Sequence, residues 1–337
     1  MEVLVVTHPK YVEHIAGAGH PERPERLAAV LDGIAGADLD GALGTVESRA
    51  VTATELERVH SPAYVAAVEA ICRRGGGALD PDTAVVEASY DAALLAAGAG
   101  PTAIELLAST GARAAFCAVR PPGHHALADR AMGFCLFNNV AVTAAALAAA
   151  GERVLIVDYD VHHGNGTQAI FWDDPRVLYV SMHEYPLYPG TGALAEIGGA
   201  GALGATVNLP LPAGATGDTF LAACDDVVAP LADTFGATWL LLSAGFDGHR
   251  RDPLAGLALS AGDYTLVTAR LAELVPDGHR IAFLEGGYDL AALAASSAAC
   301  VGALAGAALE TEAPTSGGPG REVVGAALKL RDRLLDS

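Results

Sequence analysis

The feature that most limits what this chain can fold into is how its short apolar runs end. Ala115–Val119 leads into Arg120-Pro121-Pro122-Gly123-His124-His125, and Arg153–Val157 into Asp158-Tyr159-Asp160-Val161-His162-His163-Gly164-Asn165-Gly166. Val177–Val180 leads into Ser181-Met182-His183, Trp239–Ser243 into Ala244-Gly245-Phe246-Asp247, and Ile281–Leu284 into Glu285-Gly286-Gly287-Tyr288. These runs, with Val3–Thr7 before them, alternate with Ala/Leu-rich stretches such as Pro24–Ile34, Tyr90–Ser109 and Val140–Ala150, the last ended by Gly151. Such alternation predicts an α/β fold, a central parallel sheet flanked by helices. Ligands of open parallel sheets bind beyond the carboxyl ends of the strands. Several strands delivering His, Asp and Tyr to one edge therefore predict a single shared site.

Bulk properties narrow the class. With 337 residues, 52% of them hydrophobic, the chain can bury a large core, and no linker divides it. Ala313–Gly320 reads as a loop before a final helix, Glu322–Leu335. The expected organisation is one domain over 1–310, with 311–337 as a loop and helix packed on it. No stretch reads as a membrane span, and the first residues read as a buried strand without the basic leader of a signal peptide. Five cysteines without paired spacing suggest free thiols and a cytoplasmic setting. A net charge of −20 argues against direct nucleic-acid binding. It suits cationic substrates, but solubility or adaptation of a whole proteome is the plainer explanation.

The strand ends carry the chemistry. If Asp158-Tyr159-Asp160-Val161-His162 stays extended, its alternate side chains face one space. Asp and neutral His there suit zinc or another borderline divalent ion; the other reading is polar capping of a turn. Asp247 is either a further ligand or a helix cap. His124 and His125, after a rigid Pro-Pro-Gly approach, could serve as proton donor and acceptor. Tyr288, after two glycines, either satisfies a core hydrogen bond or stabilises an oxyanion.

Taken in order, these segments resemble the histone deacetylase superfamily, in particular class II-like bacterial deacetylases and acetoin-utilisation-type proteins. The matching pieces are His20-Pro21-Glu22-Arg23-Pro24-Glu25-Arg26, Arg120 to Ala126, Gly133-Phe134-Cys135, Phe137-Asn138-Asn139, Asp158 to Gly166, Ser181-Met182-His183, Pro189-Gly190-Thr191-Gly192, Ser243 to Leu254 and Glu285 to Tyr288. The resemblance implies the arginase/deacetylase fold and a metal-dependent amidohydrolase acting on N-acetyl-lysine peptides or proteins, or on small acetylated amines. It implies Zn2+, with Fe2+ or Co2+ as substitutes, held by Asp160, His162 and Asp247. His124 and His125 would be the tandem proton-transfer pair, with His125 the general base, oriented by Asp158 and Asn165. Tyr288 would donate to the acetyl carbonyl. Gly133, Phe134 and Tyr188 would line a narrow tunnel, with Leu254 at its mouth, Gly287 as a further substrate-binding residue, and Asp82, or the neighbouring Asp80, as a rim carboxylate. A structural K+ would lie near Asp158, Asp160, His162, Ser181 and Met182, and a second near Phe171, Asp174 and Val177.

Rival chemistries on the same residues are fewer. Two-manganese ureohydrolysis wants further carboxylates where His163-Gly164-Asn165 stands. Acetylpolyamine hydrolysis wants an acidic gatekeeper where Leu254 stands. A non-catalytic acyl-lysine binding module would have no use for the histidine pair and Tyr288. Oligomeric state is open.

Overall fold

The computed structural model describes residues 1–39, 41–307, 309 and 312–335. Its strands are β1 (Val3–Thr7), β2 (Leu43–Glu47), β3 (Gly76–Asp80), β4 (Thr83–Val86), β5 (Ala114–Cys117), β6 (Val154–Asp158), β7 (Val177–Glu184), β8 (Thr206–Leu211), β9 (Trp239–Ala244) and β10 (Arg280–Leu284). Its helices are α1 (Glu25–Ala35), α2 (Ala53–Leu56), α3 (Pro62–Arg73), α4 (Ser89–Thr110), α5 (Asn139–Ala149), α6 (Asn165–Ile170), α7 (Gly217–Ala223), α8 (Ala229–Phe235), α9 (Ala261–Ala272), α10 (Leu290–Ala305) and α11 (Arg321–Leu335). Eight strands form one parallel sheet in the order β2-β1-β5-β10-β9-β6-β7-β8, and β3 and β4 make a separate antiparallel hairpin.

Strands covered on both faces read as unbroken apolar runs. That is why β6, β7, β9 and β10, all wholly buried, stood out in the sequence. Across them Ile156, Leu241 and Ile281 lie in register and buried, each stabilising the fold by about 1.5–3 kcal/mol. Helices α1, α9 and α10 pack together in one layer, and α4 and α5 in the other. Gly33 lets α1 approach α10 closely, since a Cβ there would collide with the Ala294 backbone. Helix α4, 22 residues long, is apolar enough to cross a bilayer by length and composition, which the sequence reading had not granted it. It is mostly buried against β1, β5 and α5.

The sequence reading missed β2, β8 and the hairpin. Strand β2 is an edge strand with a half-exposed pattern, and β8 carries Asn208 and Pro210 among its apolar residues. Helix α11 packs on β8 and α7; the expected boundary at 310/311 lies outside the described residues.

Helix starts set the site-bearing loops. Asn138 caps α5 by accepting from the Ala141 N–H at 3.0 Å, while its amide donates to the Ala126 carbonyl beyond the histidine pair at 3.2 Å. Asp289, next to Tyr288, caps α10 through the Ala292 N–H at 2.7 Å. All the chemistry-bearing strand ends leave the sheet at its carboxyl edge, as parallel topology requires.

Candidate active site

Asp160, His162 and Asp247 converge beyond β6 and β9, with one ligand atom from each within 4.8 Å of the others. His162 Nδ1 lies 3.1 Å from Asp160 Oδ1 and 3.1 Å from Asp247 Oδ2. The remaining carboxylate oxygens are held by backbone from other segments. Gly286 N–H donates to Asp160 Oδ2 at 2.7 Å, and Val161 N–H to Asp247 Oδ1 at 3.0 Å. Gly286 must be glycine, because a Cβ there would collide with the Asp247 carboxylate. Both aspartates are fully buried. Among the described residues no Lys or Arg pairs with either; His162 bridges the two, and His124 Nε2 lies 3.8 Å from Asp160 Oδ1. Burial opposes charge on His162, but its bonds to Asp160 and Asp247 outweigh that and raise it to about 10. Burial, followed by Asp160, pushes the Asp247 carboxyl up. A divalent cation relieves this crowding, and a buried Asp2His donor set suits zinc or its neighbours.

The expectation that Asp158, Asp160 and His162 face one space is corrected. The strand ends at Asp158, and the chain turns there. Asp158 Oδ2 instead meets His124 Nδ1 at 3.0 Å and accepts from the Tyr179 hydroxyl at 3.2 Å. His125 Nδ1 lies 2.8 Å from Asn165 Oδ1, while the Asn165 amide nitrogen faces Met132 Sδ at 3.4 Å. The two imidazole centroids lie 4.0 Å apart, with the ring planes tilted by 42°. An amide oxygen only accepts, so His125 carries its proton on Nδ1 and leaves Nε2 with a lone pair. Burial, then His124 and His162, hold His125 well below its ordinary value. Burial also opposes charge on His124, but Asp160 and Asp158 raise it to about 10. Two adjacent imidazoles thus have opposite protonation preferences.

A cavity of about 260 Å³ opens over these groups. His124, His125, His162, Gly286 and Tyr288 line it, with Phe134, Pro122, Leu187 and Tyr188 as walls and Asp82 and Leu254 among its more exposed residues. Tyr188 meets the His125 ring edge-on at 5.2 Å, and Phe134 meets the Tyr288 ring at 6.0 Å. The hairpin holds the Phe134 turn. Asp82 Oδ1 accepts from the Gly133 N–H at 3.2 Å, and Thr83 Oγ1 from the Phe134 N–H at 3.0 Å. Phe134 keeps a φ of 67°, a left-handed conformation costly outside glycine and held here by those contacts. Burial pushes the Tyr288 phenol well above its ordinary value, with Arg26 opposing, so it stays a protonated donor.

Gly287, expected to bind substrate, is not in the cavity wall; Gly286 is. The Gly287 carbonyl accepts from Arg26 Nε at 2.7 Å. Of the rim candidates, Asp82 lines the cavity and Asp80 does not. Ser181 lies beside Asp158 in register and bonds His183 Nδ1 at 2.9 Å, and Met182 is buried next to it. Phe171 ends α6, Val177 opens β7, and both Asp174 oxygens are taken by Arg176 at 2.8 and 2.6 Å.

Sequence reading missed the support behind the site. Glu22 binds Arg120 through both oxygens, at 2.5 and 2.7 Å, and Arg26 at 3.2 Å, all fully buried. Arg26 donates to the Glu285 and Gly287 carbonyls and lies over the Tyr288 ring at 4.9 Å. Glu285 Oε2 accepts from the N–H groups of Gly123 and His124 at 2.7 and 3.2 Å. The signal was available: alternating Glu and Arg at 22, 23, 25 and 26, and a carboxylate directly after an apolar strand.

Comparison with known proteins identifies the family and the fold. Residues 20–304 match the family model of the histone deacetylase domain. A probable deacetylase of Archaeoglobus fulgidus is 38% identical over 309 residues, covering 90% of this chain and 86% of that one. Histone deacetylase 15 of Arabidopsis thaliana is 41% identical over 306 residues, covering 89% of this chain but 55% of the plant protein. The crystal structure of the HDA15 HD domain superposes with a TM-score of 0.90 at 36% identity, covering 100% of this chain and 99% of that one. The chain belongs to the histone deacetylase family.

Proposed function

We propose that this protein removes acetyl groups from N-acetyl-lysine side chains, using one divalent ion, zinc foremost, held by Asp160, His162 and Asp247. The observation that carries the reading is the placing of two adjacent imidazoles, His125 on Asn165 and His124 on Asp158, beside that ligand set in one cavity. A binding module has no need for two imidazoles each oriented by its own buried partner.

When bound, the ion acts as a Lewis acid toward water and the acetyl carbonyl. His125 Nε2 takes the proton of the attacking water, its tautomer fixed by Asn165. His124, hydrogen-bonded to Asp158, is the proton donor to the departing amine. Tyr288 donates its hydroxyl proton in a hydrogen bond to the carbonyl oxygen as it becomes an oxyanion. Phe134 and Tyr188 form aromatic walls around an unbranched methylene chain, which excludes water from the reacting centre. The K+ ions implied by the resemblance would be held near Asp158, Asp160, His162, Ser181 and Met182, and near Phe171, Asp174 and Val177, where they would have a structural role.

Acetylated polyamines fit the same walls, and the net charge of −20 favours them. Leu254, apolar at the mouth, favours the peptide. The deciding experiment is acetate release from acetyl-lysine peptides and from N-acetylated spermidine and putrescine under defined metal loading. Higher kcat/KM on the peptides supports the reading. Higher kcat/KM on the polyamines moves the protein to the second substrate class, and turnover of neither refutes the enzyme reading.

A further inference from the structure

Leu254 and Tyr288 stand on different strand-end segments, one at the mouth of the cavity and one at its reacting end. A single side chain joins them. Asp252 Oδ1 accepts from the Leu254 N–H at 3.0 Å. Its Oδ2 accepts from the Tyr288 N–H at 2.7 Å and from the Asp289 N–H at 3.3 Å. Asp252 is 7% exposed, so water competes little for these bonds.

Local backbone fixes neither partner. Tyr288 follows Gly286 and Gly287, and Gly287 sits at φ +119°, a region open to glycine and to almost nothing else. Arg26 grips the Glu285 and Gly287 carbonyls, which lie ahead of the phenol. Among the described residues, Asp252 is the one hydrogen-bond partner of the Tyr288 N–H itself. Leu254 follows Pro253, which has no N–H to offer, so the Leu254 amide is the first donor available to that side of the turn. A carboxylate is a rigid plane. Its two oxygens hold the mouth amide and the phenol amide at a fixed separation. Asp289 extends the anchor into α10, whose first turn it caps.

We propose that Asp252 is a positioning residue that locks the substrate mouth at Leu254 to the catalytic phenol at Tyr288, so that contact at the mouth sets the rate as well as the affinity. The inference rests on the deacetylase reading of this cavity. Displacing a donor by about 1 Å costs on the order of a hundredfold in rate, so a loosened Tyr288 shows in kcat.

The test has a kinetic arm and an arm that needs no turnover. In the first, metal-loaded wild type is assayed for acetate release from an acetyl-lysine peptide. Absence of turnover there refutes the deacetylase reading and leaves the positioning claim to the second arm. With an active wild type, Asp252→Ala should keep its metal content and lose roughly tenfold or more in kcat. In a Tyr288→Phe background the same change should cost less than about threefold, because residues that act as one unit are not additive. Leu254→Ala should lower kcat and raise KM in the wild type, but only raise KM once Asp252 is Ala. Equal fold losses in both backgrounds, or an unchanged kcat, would overturn the proposal. The second arm is amide hydrogen exchange on the wild-type protein, which decides even if Asp252→Ala fails to fold. The Leu254, Tyr288 and Asp289 amides should exchange through one common opening. Independent openings for Leu254 and Tyr288 would overturn it.

Discussion

Replacing Tyr288 with Phe removes one oxygen and keeps the ring. The ring packs edge-on to Phe134 at 6.0 Å and lies under the Arg26 guanidinium at 4.9 Å, and both contacts survive in Phe. Among the described residues nothing hydrogen-bonds the Tyr288 hydroxyl, so the fold loses no bond with it. The stability change should stay within about 0.5–1 kcal/mol, mostly a weaker cation–π contact, and the Tm shift within about 3 °C. The reaction loses a hydrogen-bond donor to a developing oxyanion, which costs roughly 3 kcal/mol, or about a hundredfold or more in kcat. KM for an acetyl-lysine peptide should change little, because the donor acts mainly in the transition state. The assay is turnover and thermal unfolding on the same preparation, with metal content measured alongside. A kcat within threefold of wild type, or a loss of rate that only tracks a loss of folded protein, would refute the assigned role.

Two further outcomes follow from the geometry. Leu254→Glu places a carboxylate at a partly exposed position of the mouth, where it should favour a secondary ammonium by roughly 1–2 kcal/mol. The kcat/KM ratio of acetylspermidine to acetyl-lysine peptide should therefore rise about five- to thirtyfold; an unchanged ratio removes Leu254 from substrate selection. Burial holds His14 and His60 down to about 4 in the fold, below the ordinary value of about 6.5 in the unfolded chain. The unfolded chain therefore protonates first. The contribution of these two histidines should be level above pH 6.5 and fall as the pH drops toward 4, by up to roughly 3 kcal/mol for each. Urea midpoints at pH 7, 5.5 and 4 check the trend, and a flat profile contradicts it.

What the sequence made legible has a physical cause. Strands β5, β6, β7, β9 and β10 are buried on both faces, so their apolar runs are unbroken and end abruptly where the chain leaves the sheet. The residues that follow had to be polar for a reason other than solvation. Edge strand β2 has one face partly open, and its Leu-Gly-Thr-Val-Glu carries no comparable signal. Asp158 misled the reading of side-chain direction, because alternation holds only while the strand lasts, and this one ends at that residue. Arg120 and Asp252 went unassigned for another reason. Their partners are backbone groups and charges distant in sequence, and a lone charged residue does not announce a buried partner. Gly287 went to the wrong role because two adjacent glycines look alike until the fold sets one against Asp247 and gives the other's carbonyl to Arg26.

The central claim is that Asp160, His162 and Asp247 hold one divalent ion without which no amide is cleaved. The most direct measurement removes the metal with a chelator, verifies its absence by elemental analysis, and follows acetate release as zinc, iron(II) or cobalt(II) is titrated back. The account predicts no turnover in the metal-free protein and activity that rises to a plateau at one equivalent per chain. Full turnover in the verified metal-free protein would contradict it.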